Sequence, residues 1–135
     1  MFNWPVRVYI EDTDAGGIVY YANYLKFFER ARTEFVRNCG IALRAGLDAG
    51  VSYVVQSVDL KYHRPARLDD ELDVTVQLEE LGASYMVFSQ EARRNQELLA
   101  SARVKVVCVD LETLKPKRIA SDLRETLTNM KAGER

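Results

Sequence analysis

N-Y-L-K-F-F-E-R-A-R-T-E-F-V-R-N-C-G, residues 23 to 40, decides the fold, because it is the one long helical pattern in a chain of 135 residues otherwise dominated by alternating runs. Tyr24, Phe28, Ala31 and Phe35 recur at helical spacing, Leu25 and Phe27 widen the stripe, and Lys26, Arg30, Glu34 and Arg37 lie off it. Asn23 is a suitable cap and Gly40 a suitable stop, which predicts a helix of about sixteen residues.

Upstream, Val6, Val8 and Ile10 alternate with Arg7 and Tyr9, a period of two that reads as a strand beginning after Pro5. Downstream, residues 41 to 51 read as a connection with one irregular helical turn. Four strands are then expected. In the first, Val54, Val58, Leu60 and Tyr62 face one way and Ser57, Asp59 and Lys61 the other; in the second, Leu72, Val74, Val76 and Leu78 alternate with Asp73, Thr75, Gln77 and Glu79. Tyr85 to Arg93 and Leu98 to Val109 complete the set, joined by a hairpin turn at Asn95-Gln96 and paired antiparallel. Lys115-Pro116-Lys117 breaks the pattern, and Leu123, Leu127 and Met130 predict a short C-terminal helix before a frayed tail from Lys131 to Arg135. The order implies one α+β domain over residues 1–135, a curved antiparallel sheet of about five strands around one long helix. A single helix cannot cover such a sheet, so apolar surface should remain for a partner subunit or a ligand.

Lysine and arginine number 19 against 20 acidic residues, for a net charge of -1. With no field of one sign available, nucleic acid is not an expected partner. A chain of this length buries roughly two-thirds of the surface it exposes when unfolded, so its core needs no staples. Cys39 and Cys108 belong to no metal-ligand or C-x-x-C spacing, and two buried thiols in a reducing, cytoplasmic setting are expected. M-F-N-W-P-V-R lacks the pattern of a leader, and no run approaches the roughly 20 apolar residues of a membrane span, so no integral membrane segment is expected.

Chemistry concentrates just before the helix, in E-D-T-D-A-G-G-I-V-Y-Y-A-N-Y, residues 11 to 24. Asp14 precedes Ala15, Gly16 and Gly17 at a flexible turn, and the following helix aims unpaired N–H groups and its positive dipole end at the same region. Two readings are open. Asp12 and Asp14 both accept backbone N–H groups and shape the turn, or one of them is an acid, base or nucleophile acting on a carbonyl polarised at the helix start. The segment begins like an EF-hand, but Gly16 falls at the fifth position and Asn23 at the twelfth, where a bidentate glutamate is required, so calcium is not expected. Nucleophile-elbow, Walker and H-E-x-x-H motifs are missing. The single histidine, His63, lies in K-Y-H-R-P on the polar parity of a strand end, where an exposed ring is expected rather than a catalytic one.

The run D-x-D-x-x-G-I-V-Y-Y-x-N-Y, filled by Asp12, Asp14, Gly17, Ile18, Val19, Tyr20, Tyr21, Asn23 and Tyr24, resembles the active-site segment of hotdog-fold acyl-CoA thioesterases of the 4-hydroxybenzoyl-CoA thioesterase type. W-P-V-R-V-Y, F-x-E-R-A-R-T-E (Phe27 to Glu34), P-A-R-L-D-D (Pro65 to Asp70) and V-V-C-V-D (Val106 to Asp110) are similar to its Tol-Pal-associated, YbgC-like branch. The resemblance implies a hotdog fold and hydrolysis of an acyl-CoA or acyl carrier protein thioester. It also implies a homodimer or homotetramer with sites at the subunit boundary, and no metal or redox cofactor. It maps the catalytic carboxylate onto Asp14, as nucleophile or general base, and the donor that polarises the thioester oxygen onto the Tyr21 backbone N–H. Gly17, Val19, Tyr20 and Tyr24 become candidate substrate contacts, with Phe27 and Phe28 as further acyl-pocket candidates. Arg64 and Arg67 head a set of phosphate candidates that also includes Arg93, Arg94, Lys115, Lys117 and Arg118. Two departures stand out: many members of the Tol-Pal branch have histidine where this chain has Tyr21, and the turn Leu81 to Ser84 lacks the basic residues that the hydroxybenzoyl enzymes carry. A non-catalytic acyl-carrier-binding scaffold is the alternative; a hydratase or dehydratase is less favoured, because no histidine lies near residues 11 to 34.

Overall fold

The computed structural model describes residues 1–41 and 43–133. Within them five strands form one antiparallel sheet: β1 (Phe2–Arg7), β2 (Val51–Tyr62), β3 (Glu71–Leu81), β4 (Tyr85–Arg94) and β5 (Glu97–Asp110), in the spatial order β1-β3-β4-β5-β2. Helix α1 (Asn23–Asn38) lies on one face, α2 (Leu43–Asp48) is the irregular turn expected after it, and α3 (Ser121–Gly133) follows the sheet. The tail expected to fray therefore stays helical through Gly133, and residues 134–135 lie outside the described residues. No described helix is long and apolar enough to cross a membrane.

The core is the contact between the apolar stripe of α1 and the inward residues of β3 and β4. Phe27, Phe28 and Ala31 are fully buried against Leu72, Val74, Val76, Met86 and Phe88, and Phe35 meets Phe2 and Phe88 edge to face at 5.7 and 5.8 Å. Truncating Phe28 to alanine there costs about 3–5 kcal/mol. Leu123 and Leu127 of α3 join the same core, and the half-buried Cys39 sits 3.3 Å from the Met130 sulfur, while Cys108 is buried.

Local chemistry accounts for the ends of the elements. Gly40, at φ 83°, stops α1 as expected. Asn23, however, does not cap it: Ala22 holds the cap position, and Asn23 Nδ2 instead donates to the Asp12 carbonyl at 2.8 Å, tying the helix to the preceding turn. Asn95 and Gln96 both have positive φ, the two-residue turn that matches the twist of a β4–β5 hairpin. The first strand differs from its reading. Pro5 lies inside β1, tolerated because β1 is an edge strand, and the chain leaves the sheet at Arg7, so that Val8 is buried while Ile10 enters a 3-10 turn (Ile10–Asp12) and is exposed.

Strand β2 departs further. A bulge between Val55 and Ser57 flips the alternation, so that Val55 pairs with Val106 and Val58 with Val104 on the inner face, while Val54 pairs with Val107 on the other. Val54 therefore does not share a face with Val58, Leu60 and Tyr62; Val55 does. Because α1 sits over β3 and β4, no residue of β2 is buried, although its inner face is as apolar as theirs.

Candidate active site

Asp12 and Asp14 open a narrow hairpin formed by residues 13 to 19. Thr13 pairs with Val19, the Asp14 N–H donates to the Ile18 carbonyl at 2.9 Å, and Gly17, at φ 77°, makes the reversal. The hairpin is clamped to the turn at residues 65 to 70, where the Val19 N–H donates to the Ala66 carbonyl at 2.8 Å and the Leu68 N–H to the Gly17 carbonyl at 3.1 Å. Two segments far apart in sequence thus hold the loop in place.

The two carboxylates separate in character. Asp12 is 5% exposed; its Oδ2 accepts the Tyr9 N–H at 2.9 Å, and its carbonyl accepts the Tyr20 N–H at 3.1 Å as well as the Asn23 amide. Asp14 is exposed. Its Oδ1 accepts the Gly16 N–H at 2.8 Å, an Asx turn that orients the carboxylate, and Oδ2 takes no donor among the described residues.

At the start of α1 the Asn23 N–H donates to the Tyr20 carbonyl and the Tyr24 N–H to the Tyr21 carbonyl, whereas the Tyr21 and Ala22 N–H groups find no acceptor among the described residues. They are free donors at the positive end of a sixteen-residue helix. The Tyr62 hydroxyl, from the end of β2, donates to the Tyr21 carbonyl at 3.0 Å, and its ring meets those of Tyr21 and Tyr24 edge to face at 6.0 and 5.6 Å. Burial raises the Tyr62 and Tyr24 phenols above their usual range, so both stay protonated at neutral pH. A recess of about 230 Å³ opens here, walled by Val19, Tyr21, Tyr24, Tyr62, His63, Arg64 and Pro65.

Of the residues singled out in the sequence, Val19, Tyr21, Tyr24 and Arg64 line this recess. Tyr24 does so from a buried position, its hydroxyl accepting the Ala66 N–H at 3.0 Å. Gly17 and Asp14 stand on the adjoining hairpin rather than in the wall, and Tyr20 is exposed with its ring 4.6 Å from that of Tyr21. Phe27 and Phe28 are core residues, sealed from any pocket. The phosphate candidates divide between the two ends of the sheet. Arg64, Arg67, Arg93 and Arg94 cluster at the recess end, where Arg94 bonds Asp70 at 2.5 Å and Glu97 at 2.6 Å, Arg64 approaches Glu97 at 3.4 Å, and Arg93 bonds Glu91. Arg67 makes no ion pair among the described residues, whereas residues 115–118 run along the far end beside Cys108 and Val109.

Tyr62, His63 and Pro65 are the recess residues not assigned to the site from sequence. His63 is exposed, as expected, with Nε2 3.2 Å from the Ser101 hydroxyl. Tyr62 ends an inward-facing strand parity beyond the reach of the helix, and that position was the signal available for it.

Residues 8–127 match the model of the thioesterase-like superfamily. The chain is 42% identical over 124 residues to an Escherichia coli protein named acyl-CoA thioester hydrolase YbgC, covering 91% of this chain and 92% of that one. It is 41% identical over 131 residues to the Haemophilus influenzae acyl-CoA thioesterase YbgC, covering 96% of each. Among solved structures, a probable thioesterase from Bartonella henselae superposes with a TM-score of 0.82 at 32% identity, covering 87% of this chain and 98% of that one.

Proposed function

The chain belongs to the thioesterase-like superfamily, with the hotdog fold, and from that premise we propose that it hydrolyses an acyl-CoA thioester to a free carboxylic acid and CoA. Asp14 is the reacting carboxylate in this reading, and the Tyr21 backbone N–H binds the thioester oxygen. The observation that carries it is the pairing of a fixed carboxylate having one unengaged oxygen with unengaged N–H groups at the start of a long helix, across one clamped hairpin. As the tetrahedral oxyanion forms, donors that make no bond in the ground state gain one, which lowers the barrier selectively. Attack by Oδ2 on the thioester carbon expels the CoA thiolate and leaves a mixed anhydride for water to open; alternatively Asp14 takes a proton from the water that attacks directly. The phosphopantetheine arm lies along the recess, with Arg64 and Arg67 towards the phosphates. The carrier is CoA or an acyl carrier protein, and the setting is cytoplasmic.

A second copy of the chain covers β2, giving a homodimer or homotetramer. Support comes from an edge strand whose Val55 and Val58 remain 47% and 40% exposed on the face that elsewhere forms the core. Val58→Asp should shift the mass measured by light scattering towards monomer and reduce activity in parallel.

The direct test is a panel of acyl-CoAs assayed with a thiol-trapping dye. At least one should be turned over about 100-fold faster by the wild type than by Asp14→Asn. Equal rates for every chain would favour the non-catalytic, acyl-carrier-binding reading instead.

A further inference from the structure

At the opposite end of β2 a second cavity of about 230 Å³ lies between the C-terminal half of α1, α2 and the inner face of the sheet. Its floor is Met86, Phe88 and Val106, all buried, and Val36, Leu47 and Val55 form its sides. One cation faces it. Arg32 donates from Nη1 to the Oε1 of Gln90 at 2.9 Å, and Gln90, only 1% exposed, is itself fixed by donating Nε2 to the Phe28 carbonyl at 3.0 Å and the Thr75 carbonyl at 3.3 Å. Gln90 therefore presents its oxygen, and only its oxygen, to Arg32. Among the described residues the other guanidinium nitrogens take no acceptor and no ion pair engages Arg32, and those nitrogens stay accessible.

A half-buried guanidinium beside apolar walls incurs a desolvation cost that surface arginines escape. Burial weakens its hold on the proton, and Glu29 at the rim, which accepts the Thr33 hydroxyl at 3.0 Å, offsets this only in part. An apolar chamber with one pre-oriented cation that Glu29 offsets only in part fits a small molecule with an apolar body and an anionic or acceptor oxygen at its end.

Resting on the thioester-hydrolase reading, we propose that this cavity binds an acyl-derived group ended by a carboxylate or similar oxygen, with Arg32 as the recognising residue. Tyr53, in its wall, and Tyr62, at the recess, are nine residues apart on β2, about 30 Å at strand spacing. Tyr21 and Arg32 are eleven residues apart along α1, about 16 Å at helical rise, so an acyl group held at Tyr21 reaches Arg32 of its own chain only when it is long. The occupant is either the free acid or the far end of an acyl group, held at Tyr21 of the same chain or of a second copy paired through β2.

Methyl-labelled methionine resolves the question, because Met86 is one of three methionines and lines this cavity. Octanoate should move the Met86 methyl resonance, and octylammonium, with the same body and opposite charge, should not. Arg32→Met should weaken the octanoate response about tenfold or more. Leu47→Trp, which blocks the mouth from exposed α2 and leaves Arg32 in place, should do the same and stands in should Arg32→Met misfold. Octanedioyl-CoA and octanoyl-CoA added to Asp14→Asn separate the sources: a Met86 response to the dioyl form alone identifies the acyl end, and a response to octanoate alone the free acid. Silence of Met86 to both octanoate and octanedioyl-CoA, or an equal response to octylammonium, overturns the proposal. These readouts need no turnover, so an inactive protein whose Met86 responds rejects only the hydrolase reading, and an active one whose Met86 is silent rejects only the cavity.

Discussion

Asp12 and Asp14 carry the same side chain two residues apart and end in opposite environments. The turn around Asp12 is closed: its carboxylate and carbonyl engage Tyr9, Tyr20 and Asn23, and it is buried. The Asp14 carboxylate is exposed, held only by the Gly16 N–H, and leaves one oxygen without a donor among the described residues. The difference teaches a division of labour. Each carboxylate accepts one backbone N–H, but the buried one, anchored further through its own carbonyl, positions the loop, and the exposed one keeps an oxygen open to a reacting carbon or a water.

The largest effect that could break this comparison is Asp14→Asn set against Asp12→Ala. The first should lower kcat/KM about 100-fold or more while leaving the thermal midpoint nearly unchanged, because the asparagine oxygen still accepts from Gly16. Asp12→Ala acts the other way. It strands the Tyr9 N–H while the backbone carbonyl still holds Tyr20 and Asn23, costing about 1–3 kcal/mol, read as a lowered midpoint, with activity falling only as far as the loop is displaced. If Asp12 substitutions abolished activity in a stably folded protein and Asp14→Asn did not, the assignments would be reversed.

Gly17→Ala should come next. An added Cβ meets nothing within 4 Å, so the penalty is one of backbone conformation alone, about 1 kcal/mol at φ 77°. Because Gly17 makes the reversal between Asp14 and Val19, a several-fold loss of kcat/KM should accompany the modest change in stability. Loss of stability with unchanged kinetics would show that the reversal does not set the position of Asp14.

Legibility in the sequence follows how much of each feature is local. The bounds of α1 follow from the aromatic stripe Tyr24 to Phe35, and β3 follows from strict alternation, Leu72 to Leu78, because each buries one face against the other. The phase of β2 before its bulge is not legible, since Val54 and Val55 are equally apolar and only the pairing to Val106 and Val107 decides which faces inward. Pro5 looked like a boundary because nothing local reveals that β1 is an edge. At the site, Asp14 and the helix start were legible as one contiguous segment. The recess was not, because Tyr62, His63 and Arg64 reach Tyr21 through strand pairing across the whole sheet.

The smallest expected effect tests whether that recess wall takes over chemistry assigned to the hairpin. His63 is the only histidine in the sequence, it lines the recess, and its one side-chain hydrogen bond among the described residues is with the Ser101 hydroxyl at 3.2 Å. An exposed ring with a single neutral partner supplies little to the fold, and Gln at this position keeps an amide within reach of Ser101. His63→Gln should therefore leave stability within about 0.5 kcal/mol and kcat/KM within about threefold, with the pH profile superimposable on that of the wild type. A histidine acting as general base would instead carry the acidic limb of that profile, and the limb would vanish in His63→Gln. Such a result would move the reacting group from the hairpin to the end of β2, and the spare oxygen of Asp14 would then be a consequence of its Asx turn rather than the reason for it.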